Sequence, residues 1–244
     1  LIRESVLWAS LSHPHILPLI GISLDLFKEL PCMVTPWCAN GNSKNFLQEQ
    51  FAKAPVIDDI AVQQLYQAAQ GLSYLHSEGL IHGDLRGANV MVDDTGNARL
   101  IDFGLSVLAD SVFGFELPYV DISTLSHGGG ATRWLAPELI DPEQYGLKFS
   151  RPTFRTDVYA FSMLAIETSA SLMQLPFPDM RDSAILRHVL SGRRPFRPSL
   201  PDGSPIPDEL WDLIAMCWSH NPEDRPPIEH VVKAMEDIVA SYIG

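Results

Sequence analysis

Positive charge is scarce in this sequence. Its 244 residues hold 17 Lys and Arg against 30 Asp and Glu, a formal charge of −13. A chain this acidic lacks the basic face that non-specific nucleic-acid binding needs, so nucleic acid is not an expected partner. Nucleotide binding is not excluded, because it depends on the local field of a site. Cysteine is sparse too. Cys32, Cys38 and Cys217 show no CxxC spacing and no disulfide framework, which fits a reducing compartment, with the cytoplasm as the expected location. No apolar run is long enough to cross a bilayer and no basic-then-apolar leader opens the sequence, so no membrane insertion is expected. Repeats and low-complexity tracts are absent. What is present is an apolar content of 46%, that of an ordinary globular protein. The length suits one large domain or two small ones sharing a core.

Along the chain, Ile2, Val6, Leu7 and Leu11 recur at helical spacing with Trp8 extending the face, predicting a helix over 2–12. The His13-Pro14 pair stops it, since a residue before proline avoids the α region. Residues 16–22 and 32–35 read as short strands, and "CANGNS" at 38–43 reads as a turn-rich connector. Ala61, Leu65, Ala68, Leu72 and Leu75 form one stripe over 59–76, which Gly79 terminates. Residues 90–92 and 98–101 flank "DDTGN", a hairpin signal. Residues 105–131 are long, rich in Ser, Gly and Thr and weakly periodic, and a loop of that length in a compact domain is functional or disordered. Helices are predicted over about 156–170, 181–191, 207–219 and 227–242. A small strand-containing part is thus followed by a mostly helical one, an α+β arrangement.

"HGDLRGANV" at 82–90 looks like the catalytic loop of a phosphotransferase. Transfer of a phosphoryl group to a hydroxyl needs Mg²⁺ on the phosphates, a residue that orients the hydroxyl, and compensation of developing charge. Asp84 is the candidate for the hydroxyl proton. Asn89 could reach the metal with its side-chain oxygen, and Asp102 in "IDFG" could hold the ion that bridges the phosphates; such hard oxygen ligands suit Mg²⁺. Asp84 and Asn89 come from one loop and Asp102 from the end of the paired strand, so the three can converge. Any one of these residues alone is an ordinary turn former. HxDLxxxN and DFG in order, a hairpin apart, are far more specific.

On these motifs the chain resembles a eukaryotic protein kinase domain of the tyrosine-kinase-like group, and the likeness runs from Glu4 almost to the C-terminus. "RESVLWASLSHPHILPLIG" is similar to the αC helix and the strand after it, "MVTPWCANGN" to the hinge, "ATRWLAPE" to the end of the activation segment, "DVYAFSML" to the buried αF helix and "CWSHNPEDRP" to the closing helices. The resemblance implies a bilobal fold with an incomplete N-lobe at 1–37 and a mostly helical C-lobe at 38–244. It implies ATP and Mg²⁺ as cofactors and a protein or peptide as substrate, with Asp84, Arg86, Asn89 and Asp102 catalytic and Asn89 and Asp102 on the metal. Thr35 matches the gatekeeper, Pro36 and Cys38 would offer backbone groups to adenine, and Met91 would pack beneath it. Proline lacks only the N–H, and the role of Pro36 uses its carbonyl. Trp8, Leu19, Phe103 and His82 match a hydrophobic column, Asp157 the residue holding the catalytic-loop backbone, and Glu138 with Arg225 a buried ion pair. His13 and His15 are read as capping or packing groups and His127 as part of a loop. Small-molecule kinases of the aminoglycoside type also carry His-Gly-Asp, but the resemblance gives them no APE segment or CW…RP ending, so that reading ranks below.

The sequence departs from the family pattern in places. No GxGxxG loop and no VAIK-type lysine precede Glu4, which would pair with that lysine, and the first lysine is Lys28; the sequence is therefore expected to be N-terminally truncated. Gly83 stands where an arginine commonly reads a phosphorylated activation loop. Ala131 stands where Ser/Thr kinases usually carry threonine, with Thr132 beside it, and Arg86 replaces their usual lysine. Two functions stay open: an active kinase, with Ser/Thr favoured over Tyr, and a kinase-fold binding module without catalysis.

Overall fold

The structure is a computed structural model in which residues 2–26, 30–53, 58–103, 107–108, 131–169, 175–200 and 203–243 are described. The fold is α+β and mostly helical, with three two-stranded antiparallel pairs among the described residues.

The first helix, α1 (Ile2–Ala9), is shorter than its apolar spacing predicts. Beyond Ala9 the chain tightens into bonds three residues apart, Ser10 N to Leu7 O and Leu11 N to Trp8 O. Ser12 N donates instead to the Tyr74 hydroxyl at 3.0 Å, and Leu11 is buried all the same. The strand expected over 16–22 is split. Leu17 N donates to Leu100 O and Leu100 N to His15 O, whereas only β1 (Gly21–Ser23) pairs with β2 (Cys32–Val34). Pro18 lies between the two pairings and has no N–H to continue either. His13 stacks on Tyr74 with ring centroids 4.9 Å apart, and His15 Nδ1 lies 2.9 Å from Ala98 O, so both histidines pack as expected.

A helix the sequence reading missed, α2 (Ser43–Lys53), follows the connector. Asn42 Oδ1 caps it by accepting from Asn45 N at 2.9 Å, the ordinary way of satisfying an orphan helix donor. Phe46 and Leu47 bury themselves with Ala61 and Val92 in a small separate cluster. The long helix α3 (Asp58–Ser77) buries its predicted stripe, Ala61, Leu65, Ala68, Leu72 and Leu75. It ends at Gly79, whose φ of +73° is the left-handed conformation glycine adopts without a Cβ penalty. Two-residue strands β3 (Leu80–Ile81) and β6 (Val107–Leu108) pair antiparallel, β3 just ahead of the 82–90 loop, and were not foreseen. The hairpin was: β4 (Val90–Val92) and β5 (Ala98–Leu100) pair with Val90 opposite Leu100. Its turn is organised by Asp93, which accepts from Thr95 N, Thr95 Oγ1 and Asn97 N and faces Arg99 Nε at 2.8 Å. Burial raises the Asp93 carboxyl, but those donors outweigh it and hold the pKa at about 2.

The helical part is built on α5 (Phe154–Ser169), preceded by the short α4 (Pro137–Ile140). Every residue of α5 from Thr156 to Ser169 is buried, as expected of a helix wrapped on all sides. Most of its polar groups find partners inside, whereas Tyr159 Oη and Ser169 Oγ have no hydrogen-bond partner among the described residues. Ser162 Oγ donates to Tyr159 O and Thr168 Oγ1 to Leu164 O, and Asp157 turns to the loop that follows β3. α6 (Asp182–Leu190) lies against α4, α7 (Asp208–Cys217) packs against α5, and α8 (Ile228–Ile243) lies against α3 and α7. α8 buries Ile228, Val231, Met235 and Ile238, and these belong to one hydrophobic cluster that also holds Trp8, Leu100 and Phe103.

Glu138 and Arg225 form a buried ion pair. The fully buried Arg225 side chain donates through Nη1 and Nη2 to Glu138 Oε1 and Oε2 at 2.6 and 2.8 Å, and also to Ser219 O and Arg155 O. Its guanidinium lies 5.1 Å from the Tyr159 ring centroid. Among the described residues no helix is long and apolar enough to cross a membrane.

Candidate active site

The loop between β3 and β4 is fastened from behind. Asp157, 1% exposed, accepts from His82 N at 2.8 Å and Gly83 N at 2.9 Å, and its Oδ2 lies 2.9 Å from His76 Nε2. A helix buried on all sides thus spends its one first-turn carboxylate on two backbone donors of the loop. Gly83 sits at φ +81° in that grip. A residue with a Cβ would be strained there by about 1 kcal/mol, so glycine suits the loop's conformation whatever it forfeits as a cation.

Asp84, Arg86 and Asn89 come together on the other side. Asn89 Nδ2 donates to Asp84 O at 2.8 Å and to Asp84 Oδ2 at 2.9 Å, and Arg86 Nε donates to Oδ2 at 3.1 Å. Burial pushes the Asp84 carboxyl up from its ordinary pKa, and Arg86, His82 and the Asn89 amide partly offset that rise. The result is a carboxylate held in one orientation by two side chains, with a raised affinity for a proton.

Asp102 reaches the site from β5. Ile101 N donates to Asn89 O at 3.0 Å, which ties the end of the hairpin to the loop. Asp102 then takes φ +64°, rare for a non-glycine residue, and is exposed while Phe103 is buried. Phe103 packs edge-on to Trp8 at 5.1 Å and against His82 at 5.6 Å, and Leu19 packs on the same cluster. Glu4, on α1, faces this end of the site. Burial and the Asp102 charge both raise its carboxyl.

The segment expected to meet adenine is also at hand. Thr35 is half-buried after β2, Pro36 is exposed and Cys38 is buried. The Cys38 carbonyl already accepts from Gly41 N at 3.0 Å, leaving one lone pair. Met91 is half-buried on β4, opposite Arg99 and bridged to Asn42.

Ala131 and Thr132 are buried. Arg133, the neighbouring cation, is committed to backbone carbonyls: Nη1 donates to Pro176 O at 2.7 Å and to Phe177 O, and Nη2 to Met180 O at 3.0 Å. Nothing in the local sequence signalled this, because the acceptors lie more than forty residues away. Most of 105–131, including Ser106, Tyr119, Thr124 and His127, lies outside the described residues.

Residues 1–235 match the family described as protein tyrosine and serine/threonine kinase. The match covers well over half of the sequence, and the chain belongs to this protein kinase family.

Proposed function

We propose that the chain transfers the γ-phosphoryl group of ATP to a protein hydroxyl, as a member of the tyrosine-kinase-like group with Ser or Thr favoured over Tyr. The observation that carries this reading is the Asp84 carboxylate, oriented by Asn89 and Arg86 in a loop that Asp157 grips from behind. In this role Asp84 accepts the proton of the attacking hydroxyl. Its raised proton affinity suits that task better than an unperturbed carboxylate would. Arg86 keeps the carboxylate aligned and adds positive charge where negative charge develops.

The donor set fits Mg²⁺. Asn89 spends only its Nδ2 on Asp84, so its Oδ1 and the exposed Asp102 carboxylate are the hard oxygens that would hold the ion. Among the described residues no group of three or more His, Cys, Asp or Glu side chains forms a protein-only metal site. Mg²⁺ commonly takes one or two side chains and completes its shell from phosphates and water. When bound, Mg²⁺-ATP supplies the phosphoryl group and neutralises its charge. Thr35, Pro36, Cys38 and Met91 would line the adenine end, and residues 1–37 and 38–244 would be N-lobe and C-lobe parts. A protein substrate and a reducing compartment, the cytoplasm, complete the proposal; Cys32, Cys38 and Cys217 are unpaired.

A second reading is a kinase-fold binding module without catalysis; it draws on Glu4, a half-buried carboxyl raised first by burial and then by the Asp102 charge. Radiolabelled transfer from Mg²⁺-ATP to a generic basic protein, with Asp84→Asn in parallel, separates the two. Loss of about 10²- to 10⁴-fold in the variant, with nucleotide affinity nearly unchanged, is expected of the kinase. Nucleotide binding without any Asp84-dependent transfer would leave the binding module.

A further inference from the structure

Helix α5 meets the catalytic loop at two points. Asp157 lies in its first turn. Ten residues on, about 15 Å along the axis, Glu167 accepts from Gly87 N through Oε2 at 2.9 Å. Glu167 is 2% exposed. Burial raises its carboxyl, and the Gly87 N–H and the charges of Lys44 and Arg86 partly offset this. Gly87 opens the single turn Gly87–Asn89, which Asn89 N closes on Arg86 O at 2.8 Å. Asp84 and Arg86 therefore lie between two anchors, one at Gly83 and one at Gly87.

The second anchor leaves no room for a side chain. A Cβ at position 87 would fall 2.9 Å from Glu167 Cδ, 2.9 Å from Oε1 and 3.0 Å from Oε2. Carbon atoms do not approach that closely without displacement. The group in the way is itself buried and hydrogen-bonded to the backbone it would have to leave. Moving Gly87 outward would carry Asn89 with it and break the two Asn89 contacts to Asp84.

We propose that Glu167 is a positioning residue for the Asp84–Asn89 segment and that glycine at 87 is its required partner, because the carboxylate occupies the space of a Cβ. This rests on the reading that Asp84 and Asn89 act in phosphoryl transfer. A buried acid that merely satisfied a stray N–H would affect stability alone. A positioning acid must also affect turnover.

The test uses the full chain with Gly87→Ala, Glu167→Asp, the two combined, Glu167→Gln and Glu167→Ala. Expected are a fall in kcat of about tenfold or more for Gly87→Ala and for Glu167→Ala, since small misplacements of reacting groups are costly. Nucleotide KM should move by less than about threefold. Glu167→Gln retains an acceptor oxygen and should retain most of kcat. Glu167→Asp withdraws the carboxylate, so the combined variant should turn over faster than Gly87→Ala alone. Wild-type kcat in Gly87→Ala, or losses that simply multiply in the combined variant, would overturn the proposal. Amide hydrogen exchange gives a readout independent of activity: Glu167→Ala should expose Gly87 N–H while His82 and Gly83 stay protected. Unchanged protection at Gly87 would overturn it as well. If the wild type shows no Asp84-dependent transfer, the kinase reading falls and the exchange result alone decides whether the anchor exists.

Discussion

Replacing Asp157 by alanine removes the acceptor of His82 N, Gly83 N and the His76 ring in one step. Leaving a buried N–H without a partner costs about 1–3 kcal/mol, so the two backbone donors together put about 2–6 kcal/mol at risk. An offset is close by. A cavity of about 20 Å³ lined by Gly83, Asp84, Leu85, Trp134 and Asp157 already adjoins the carboxylate, room enough for one water molecule, and truncation would enlarge it. One water can rebond one donor, which leaves an expected loss of about 1–3 kcal/mol. A domain stable by about 5–15 kcal/mol would still fold. Its catalytic loop would not hold its place, and kcat should fall by about a hundredfold. Asp157→Asn keeps one oxygen but turns an NH₂ toward a second donor, so it should recover only part of either loss. Urea unfolding with an unchanged slope gives the stability, and initial rates give kcat. An alanine variant that loses less than about 1 kcal/mol and turns over normally would refute the argument that α5 holds the loop.

Three further outcomes follow from the same structure. Arg225→Met strands the buried Glu138 carboxylate and should cost about 3–5 kcal/mol in urea unfolding, whereas Arg225→Met combined with Glu138→Leu should cost clearly less, because no unpaired charge remains. Phosphatase treatment of active protein should change its rate little, because Gly83 has no side chain and the Arg133 guanidinium is bound to carbonyls of 176–180; loss of activity by orders of magnitude would show that another cation reads a phosphate. Asp84 has a raised folded-state pKa, so the folded state binds its proton more tightly than the unfolded chain and this group destabilises increasingly as pH rises through that pKa. Asp84→Asn should therefore be at least as stable as wild type at neutral pH, with the difference vanishing in acid, while wild-type kcat falls as acid protonates Asp84; a less stable variant at neutral pH would contradict this.

Much of the framework was legible in local pattern. The α3 stripe, the α8 stripe and the hairpin around "DDTGN" each declare themselves within a dozen or so residues, because periodicity and turn chemistry are properties of neighbouring side chains. The spacing of Asp84, Asn89 and Asp102 was readable for the same reason, since all three lie on one loop and the hairpin that adjoins it, although the grip on that loop comes from distant sequence. Helix α2 was missed because Phe46, Leu47 and Phe51 make too weak a stripe, and its cap, Asn42, looked like one more turn residue. The strand over 16–22 was drawn too long because apolar content conceals the missing N–H of Pro18, which matters only once two different partners compete for the backbone on either side.

By itself the sequence determined the protein kinase family, most of the helices and the hairpin in their order, and the spacing of Asp84, Asn89 and Asp102. Only the tertiary structure decided which atoms the buried polar residues meet. Asp157 in "DVYAFSML" was matched to a loop-holding residue through the family resemblance alone, and Glu167, ten residues later, reads locally as an ordinary helix residue. Their partners, the N–H groups of His82, Gly83 and Gly87, lie 74 to 80 positions away. Arg133, which reads as an exposed cation beside a loop, is spent on carbonyls more than forty residues downstream. A buried charge or donor takes whatever partner folding brings within about 3 Å, and no local pattern records which distant backbone that will be.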